Sequence, residues 1–145
     1  MQHLTVPLIF LVLTFMLASS CEVEKTPTKL SDVKVCTRLE KGVCMESYIE
    51  IQPSASNIYV SCILENATDD STVNFSWFYY EEDGERKLLN EVNIHPSELS
   101  TRPYSEYLLS SNLSRALNYW PSGKYEIVIN LDAVEPMIIS KQFEI

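Results

Sequence analysis

Few side chains in this sequence could carry chemistry, and their spacing narrows what that chemistry is. The histidines are His3 and His95, and the cysteines are Cys21, Cys36, Cys44 and Cys62. A nucleophile–base pair would have to use His95, beside Pro96, and no Gly-x-Ser-x-Gly elbow offers it a serine. Zinc wants two ligand pairs at Cys/His spacing, and Cys36 and Cys44 have no second pair. Phosphate-cradling loops need glycines, of which the chain has 3. Carboxylates crowd two turns, Glu65, Asp69 and Asp70 in one and Glu81, Glu82, Asp83 and Glu85 in the other. Calcium takes such oxygens, but neither turn has the D-x-[DN]-x-[DN]-G order of a calcium loop. The residues predict no catalytic constellation, no metal and no cofactor, so the chain is expected not to be an enzyme.

The elements that must hold these residues begin with an export segment. Residues 1–20 contain no Lys, Arg, Asp or Glu. The run from Leu8 to Ala18 has the length of a signal-peptide core and falls short of the ~20 apolar residues of a spanning helix. Residues 1–20 therefore read as a signal peptide, with an uncleaved anchor as the alternative. Ala18-Ser19-Ser20-Cys21 resembles the bacterial lipoprotein box, whose cysteine is acylated and becomes N-terminal; Leu17 stands one place earlier than that box has its leucine. Ordinary cleavage before Cys21 competes with this reading, since Ala18 and Ser20 suit it too.

Export places the chain in an oxidising compartment. Cys36 and Cys44 flank the turn residues Glu40-Lys41-Gly42 and are expected to form a disulfide. Cys62 alternates onto one face with Ile58, Val60 and Leu64 and reads as a small buried hydrophobe. Cys21 is then left for lipidation; a Cys21–Cys62 bridge is the alternative. The expected location is outside the cytoplasm, on the cell membrane through a lipid on Cys21.

Net charge is −9, all of it beyond the uncharged leader. An acidic domain without Lys/Arg clusters disfavours nucleic acid, and no nucleic-acid partner is expected. Residues 21–30 read as a short polar tether close to the membrane, and residues 31–145 as one domain. That domain alternates with period two. Strands are predicted over Val33–Cys36, Tyr48–Ile51, Asn57–Glu65, Thr72–Tyr80, Arg86–Ile94, Tyr104–Leu113, Lys124–Leu131 and Met137–Ile145. Asp83-Gly84 predicts a two-residue type I′ hairpin, and Ser114–Trp120 a single helical turn. Short strands with turn residues between them make the domain all-β, an antiparallel sandwich.

Three positions resemble an immunoglobulin-like domain: Cys62 in an early strand, Trp77 on the next, and Gly123-Lys124-Tyr125-Glu126-Ile127 opening a late one. The resemblance implies an inter-sheet core with Ile127 where the second cysteine would stand, and a buried Tyr125 with its hydroxyl on nearby backbone. From Asn57 to Ile145 the chain also resembles a module of exported prokaryotic surface lipoproteins. Trp120-Pro121-Ser122-Gly123-Lys124-Tyr125 and Phe143-Glu144-Ile145 carry that likeness. The module's function is undefined, so the resemblance implies a fold and no reaction.

Asn66, Asn74 and Asn112 open N-x-[ST] sequons and are candidate glycosylation sites; Asn74 alternates away from Val73 and Phe75. Phe78 and Tyr80 point opposite to Trp77 and Tyr79 and are the candidate binding surface, unless N-terminal strands cover them. The expected function is a non-catalytic surface lipoprotein, a binding or envelope-organising module with an unidentified protein or glycan partner. The alternative is an exported protease inhibitor using the loops His95–Pro103 and Glu65–Ser71.

Overall fold

The computed structural model describes residues 25–99, 106–116 and 118–145. The expected signal peptide, residues 1–20, and Cys21 lie outside them. Among the described residues seven strands form: β1 (Lys29–Cys36), β2 (Asn57–Glu65), β3 (Thr72–Tyr80), β4 (Arg86–Ile94), β5 (Glu106–Ser114), β6 (Lys124–Asp132) and β7 (Met137–Glu144), with a short helix α1 (Pro96–Leu99). They make two antiparallel sheets, ordered β1-β2-β5 and β4-β3-β6-β7. The chain is an all-β two-sheet sandwich.

Alternation decides which side chains meet between the sheets. Ile58, Val60, Cys62 and Leu64 of β2 share one buried core with Val73, Phe75 and Trp77 of β3 and Tyr125, Ile127, Ile129 and Leu131 of β6. Burying each such apolar group is worth about 1.5–3 kcal/mol. Trp77 is wholly enclosed. Its Nε1 donates to Ser111 Oγ on β5 at 3.0 Å, which ties the two sheets together and leaves neither polar atom orphaned. Cys62 is buried and free, and desolvation pushes its thiol up to about 12, so it acts as a hydrophobe.

The Sγ atoms of Cys36 and Cys44 lie at disulfide distance, 2.09 Å. Between them Lys41 and Gly42 both take positive φ, and Glu40 and Val43 exchange main-chain hydrogen bonds of 2.9 and 3.1 Å. This is the two-residue primed turn. Cys44 N donates to Ser61 Oγ at 2.9 Å, which lays the loop over the outer side of β2.

Several sequence expectations need correction. Asp83-Gly84 is not a primed pair, because only Gly84 has positive φ. Glu81 N bonds to Glu85 O and Gly84 N to Glu81 O, each at 2.9 Å, so the β3–β4 connection is a three-residue loop closed by a glycine in the left-handed region. Tyr48–Ile51 forms no strand of its own: Ile51 N and Glu144 N bond to Glu144 O and Ile49 O, and the segment lies along the free edge of β7. The described residues of Ser114–Trp120 are not helical. The helical turn is α1 instead, within the loop taken as His95–Pro103, whose residues beyond Leu99 lie outside the described ones. β1 starts at Lys29, and Leu30 is buried, so the last two residues assigned to the tether belong to the sandwich.

The register sorts the strand ends into two poles. Lys29, Glu65 and Glu106 stand level where the chain enters β1, together with the start of β3 and the end of β6. Cys36, Asn57, Ser114, Tyr80, Arg86 and Lys124 lie at the opposite pole, roughly 25–30 Å away along strands of eight or nine residues.

Candidate functional site

The outer side of the four-stranded sheet holds the rings that the sequence offers as a binding surface. Among the described residues no N-terminal strand covers them, since β1 belongs to the other sheet. Phe78 and Tyr80 are nevertheless only half-exposed. The Arg86 guanidinium sits 4.0 Å from the Phe78 centroid and Lys124 Nζ 5.0 Å from that of Tyr80. Each ring thus spends a face on a cation.

Between these pairs lies Glu126, a buried carboxylate. It accepts hydrogen bonds from Tyr80 Oη at 2.8 Å, Ser140 Oγ at 2.5 Å and Arg86 Nη1 at 3.3 Å. Burial pushes its pKa up, but the bonds from Ser140, Tyr80, Arg86 and Gln142 outweigh burial and hold it below the usual carboxylate range. Further along, Asn74 Nδ2 donates to Glu91 and Asn93 at 2.9 Å each, while its Oδ1 accepts from Ser76. A glycan on Asn74 would displace one of those donors. Asn66 stands at positive φ and donates to Pro27 O at 3.2 Å, and exposed Asn112 donates to Ser114 Oγ at 2.9 Å.

A different surface appears where the two sheets fail to match in width. β1 approaches β7, so the three-stranded sheet covers β7, β6 and β3, and among the described residues no strand lies opposite β4. At the pole remote from the chain's entry, this overhang and the β5–β6 loop enclose a groove of about 330 Å³. Tyr79, Leu89, Leu113, Tyr119, Trp120 and Tyr125 line it, with Lys87 and Glu81 at its rim. Hollows of about 370 Å³ beside Glu144 and about 550 Å³ beside Ser54 are lined at least as much by polar as by apolar groups; the groove is mainly apolar.

Its walls are fixed by hydrogen bonds that use up their polar atoms. Tyr125 Oη donates to Pro121 O at 2.7 Å, Tyr79 Oη to Ser122 O at 3.2 Å and Trp120 Nε1 to Ala55 O at 2.6 Å. Burial, then the neighbouring Tyr79, pushes the Tyr125 hydroxyl up to about 12, so it stays a donor. Gly123 has φ +143°, and a Cβ there would meet the Tyr79 ring at 3.2 Å. The Trp-Pro-Ser-Gly-Lys-Tyr run is thus the brace of the groove. By contrast Leu89 and Tyr119 are exposed.

Sequence reading missed this groove. Its one signal was the adjacent apolar pair Leu88-Leu89, which breaks the alternation of β4 where its register against Trp77 and Phe78 shifts.

The acidic hairpin borders the groove. One carboxylate oxygen each from Glu81, Asp83 and Glu85 falls within 4.8 Å of the others, all exposed. Glu65 is elsewhere, at the entry pole: the hydrogen bond from Ser31, then that from Lys29, holds its pKa below the usual range. His95 Nδ1 stands 3.0 Å from Thr72 Oγ1, also at the entry pole and far from the groove. The loop Glu65–Ser71 is closed on itself by Thr68 and Ser71.

Neither protein families nor curated proteins give a match to the sequence. Among solved structures, similarity is found to a Pseudomonas fluorescens alkylpurine DNA glycosylase, AlkC, bound to DNA containing an abasic site analog. The identity is 12% and the TM-score 0.44, over 81% of this chain and 30% of that one. Two expectations, that the chain is not an enzyme and that it has no nucleic-acid partner, are corrected by this finding, and neither exclusion is kept. Both rested on absent motifs and net charge, and function resides in sites grafted on folds rather than in composition. So weak a likeness assigns this chain no activity and no ligand in their place.

Proposed function

We propose that this chain is an immunoglobulin-like surface lipoprotein that works as a binding or envelope-organising module, held to the membrane through Cys21 and engaging its partner in the groove beneath β4. The immunoglobulin-like reading is supported by Cys62 on β2, the enclosed Trp77 on β3, and Tyr125 at the start of β6 with its hydroxyl on Pro121 O. Ile127 fills the place of the second cysteine, and the Trp77–Ser111 hydrogen bond links the sheets in the absence of a bridge.

The observation that carries the binding reading is polarity along the strands. The chain enters at one pole and the apolar groove opens at the other, so a tethered domain holds the groove away from the membrane. A photoreactive residue placed at Tyr119 on intact cells is expected to give a cross-linked adduct, and one at Ile138 on the outer sheet surface none. Adducts from position 138 alone would move the binding site to the other face. Mass spectrometry of the mature N-terminus is expected to find acyl mass on Cys21, and an unmodified cysteine would remove the anchor.

A further inference from the structure

The groove does not end at Glu81. It runs on, through Tyr79 and Glu81, into the hollow over Glu82 and Asp83 at the tip of the β3–β4 hairpin. Three tip carboxylates crowd within 4.8 Å, and among the described residues none of them forms an ion pair with a lysine or arginine. The nearby cations have other duties: Arg86 holds Glu126, and Lys124 lies over Tyr80. Among the described residues, Lys87 is the cation that lines the groove.

We propose that the groove takes a polypeptide segment carrying one or two large apolar side chains followed by lysines or arginines. The apolar groups lie on Leu89 and Tyr119, and the cations lie over the hairpin tip. This rests on the groove being the binding site, and it adds the partner's chemistry. The mainly apolar lining gives the first half of that chemistry. The uncompensated tip gives the second, because cations there relieve like-charge repulsion and steer the encounter. A second copy of this chain is disfavoured by the same argument, since each copy carries net charge −9 and the same acidic tip.

The test uses the exported protein as the cell processes it, with EDTA present, and labelled synthetic peptides read by fluorescence anisotropy. One peptide has Trp-Leu followed by a run of lysines, a second has Ser in place of Trp and Leu, and a third has Glu in place of Lys. The first is expected to bind, weakening steeply with salt, and the other two not to bind. Glu81→Gln, Asp83→Asn and Glu85→Gln together should weaken it about tenfold or more, as should Leu89→Ser with Tyr119→Ala. All five side chains are exposed, and unchanged thermal unfolding checks the fold. Binding indifferent to the tip substitutions would overturn the proposal. So would preference for the glutamate peptide, binding only when calcium replaces EDTA, or no binding of any peptide. A cross-link from position 119 would survive each of those outcomes, so the groove and its proposed ligand fail separately.

Discussion

Four consecutive aromatic residues on β3, Trp77-Phe78-Tyr79-Tyr80, meet two different environments within one strand. Trp77 and Tyr79 point inward and find other rings: Phe143 lies edge-on to Trp77 at 6.4 Å, and Tyr125 lies 5.0 Å from Tyr79. Phe78 and Tyr80 point outward and find cations and a carboxylate. On the dry side a ring contributes buried area and shape. On the wet side it contributes a face for charge, worth about 0.5–1 kcal/mol where exposed. Alternation thus converts one residue class into two kinds of interaction, and only the inner kind runs continuously into the groove.

Substitutions can break or sharpen that contrast. Trp77→Ala should destabilise most, by about 3–5 kcal/mol in chemical denaturation, because it opens a cavity and orphans Ser111. A loss below about 1 kcal/mol would mean the two faces have been exchanged. Gly123→Ala should cost about 1–3 kcal/mol, since it forces a side chain into the left-handed region against Tyr79. If groove binding falls further than stability, the brace acts on the site as well as the fold.

Glu126→Gln should cost about 1.5–3 kcal/mol at neutral pH, the scale of hydrogen bonds to a charged group. The folded Glu126 carboxyl is held below the ordinary range. Its stabilisation is therefore complete above the unfolded carboxylate's pKa and is lost as pH falls through the lower folded value. Parent and variant should converge in thermal stability on acidification; a gap that persists at low pH would assign Glu126 a packing role instead. Phe78→Ala should be the mildest, about 1 kcal/mol or less, and should raise the exposure of Arg86 without touching the groove.

The inward pattern of β2 and β3 was legible because burial on one face forces strict alternation, and Trp77 followed from it; the burial of Tyr125 was implied by the immunoglobulin-like resemblance. The tight turn was misplaced for an equally physical reason. Asp-Gly favours a primed pair, but here Asp83 accepts from Glu85 N at 2.9 Å and keeps ordinary φ, while Lys41-Gly42 takes the primed geometry between paired cysteines. The groove was legible only as the apolar pair Leu88-Leu89, which signals a break in β4 and no cavity. It arises from unequal sheet widths, which no local pattern encodes, and from Leu89 and Tyr119 on separate elements. The outer rings looked available because a sequence lists neighbours along the chain, whereas Lys124 reaches Tyr80 from another strand.

Ile145 is pinned at the groove's own pole: it and Gly123 exchange main-chain hydrogen bonds of 3.1 and 2.9 Å, and Gly123 abuts Tyr79. A purification tag or fluorescent reporter fused after Ile145 would emerge beside the proposed docking site and compete for it. One inserted upstream of Lys29 would hang from the far pole and leave the site clear, so the point of insertion is itself a variable in any interaction screen.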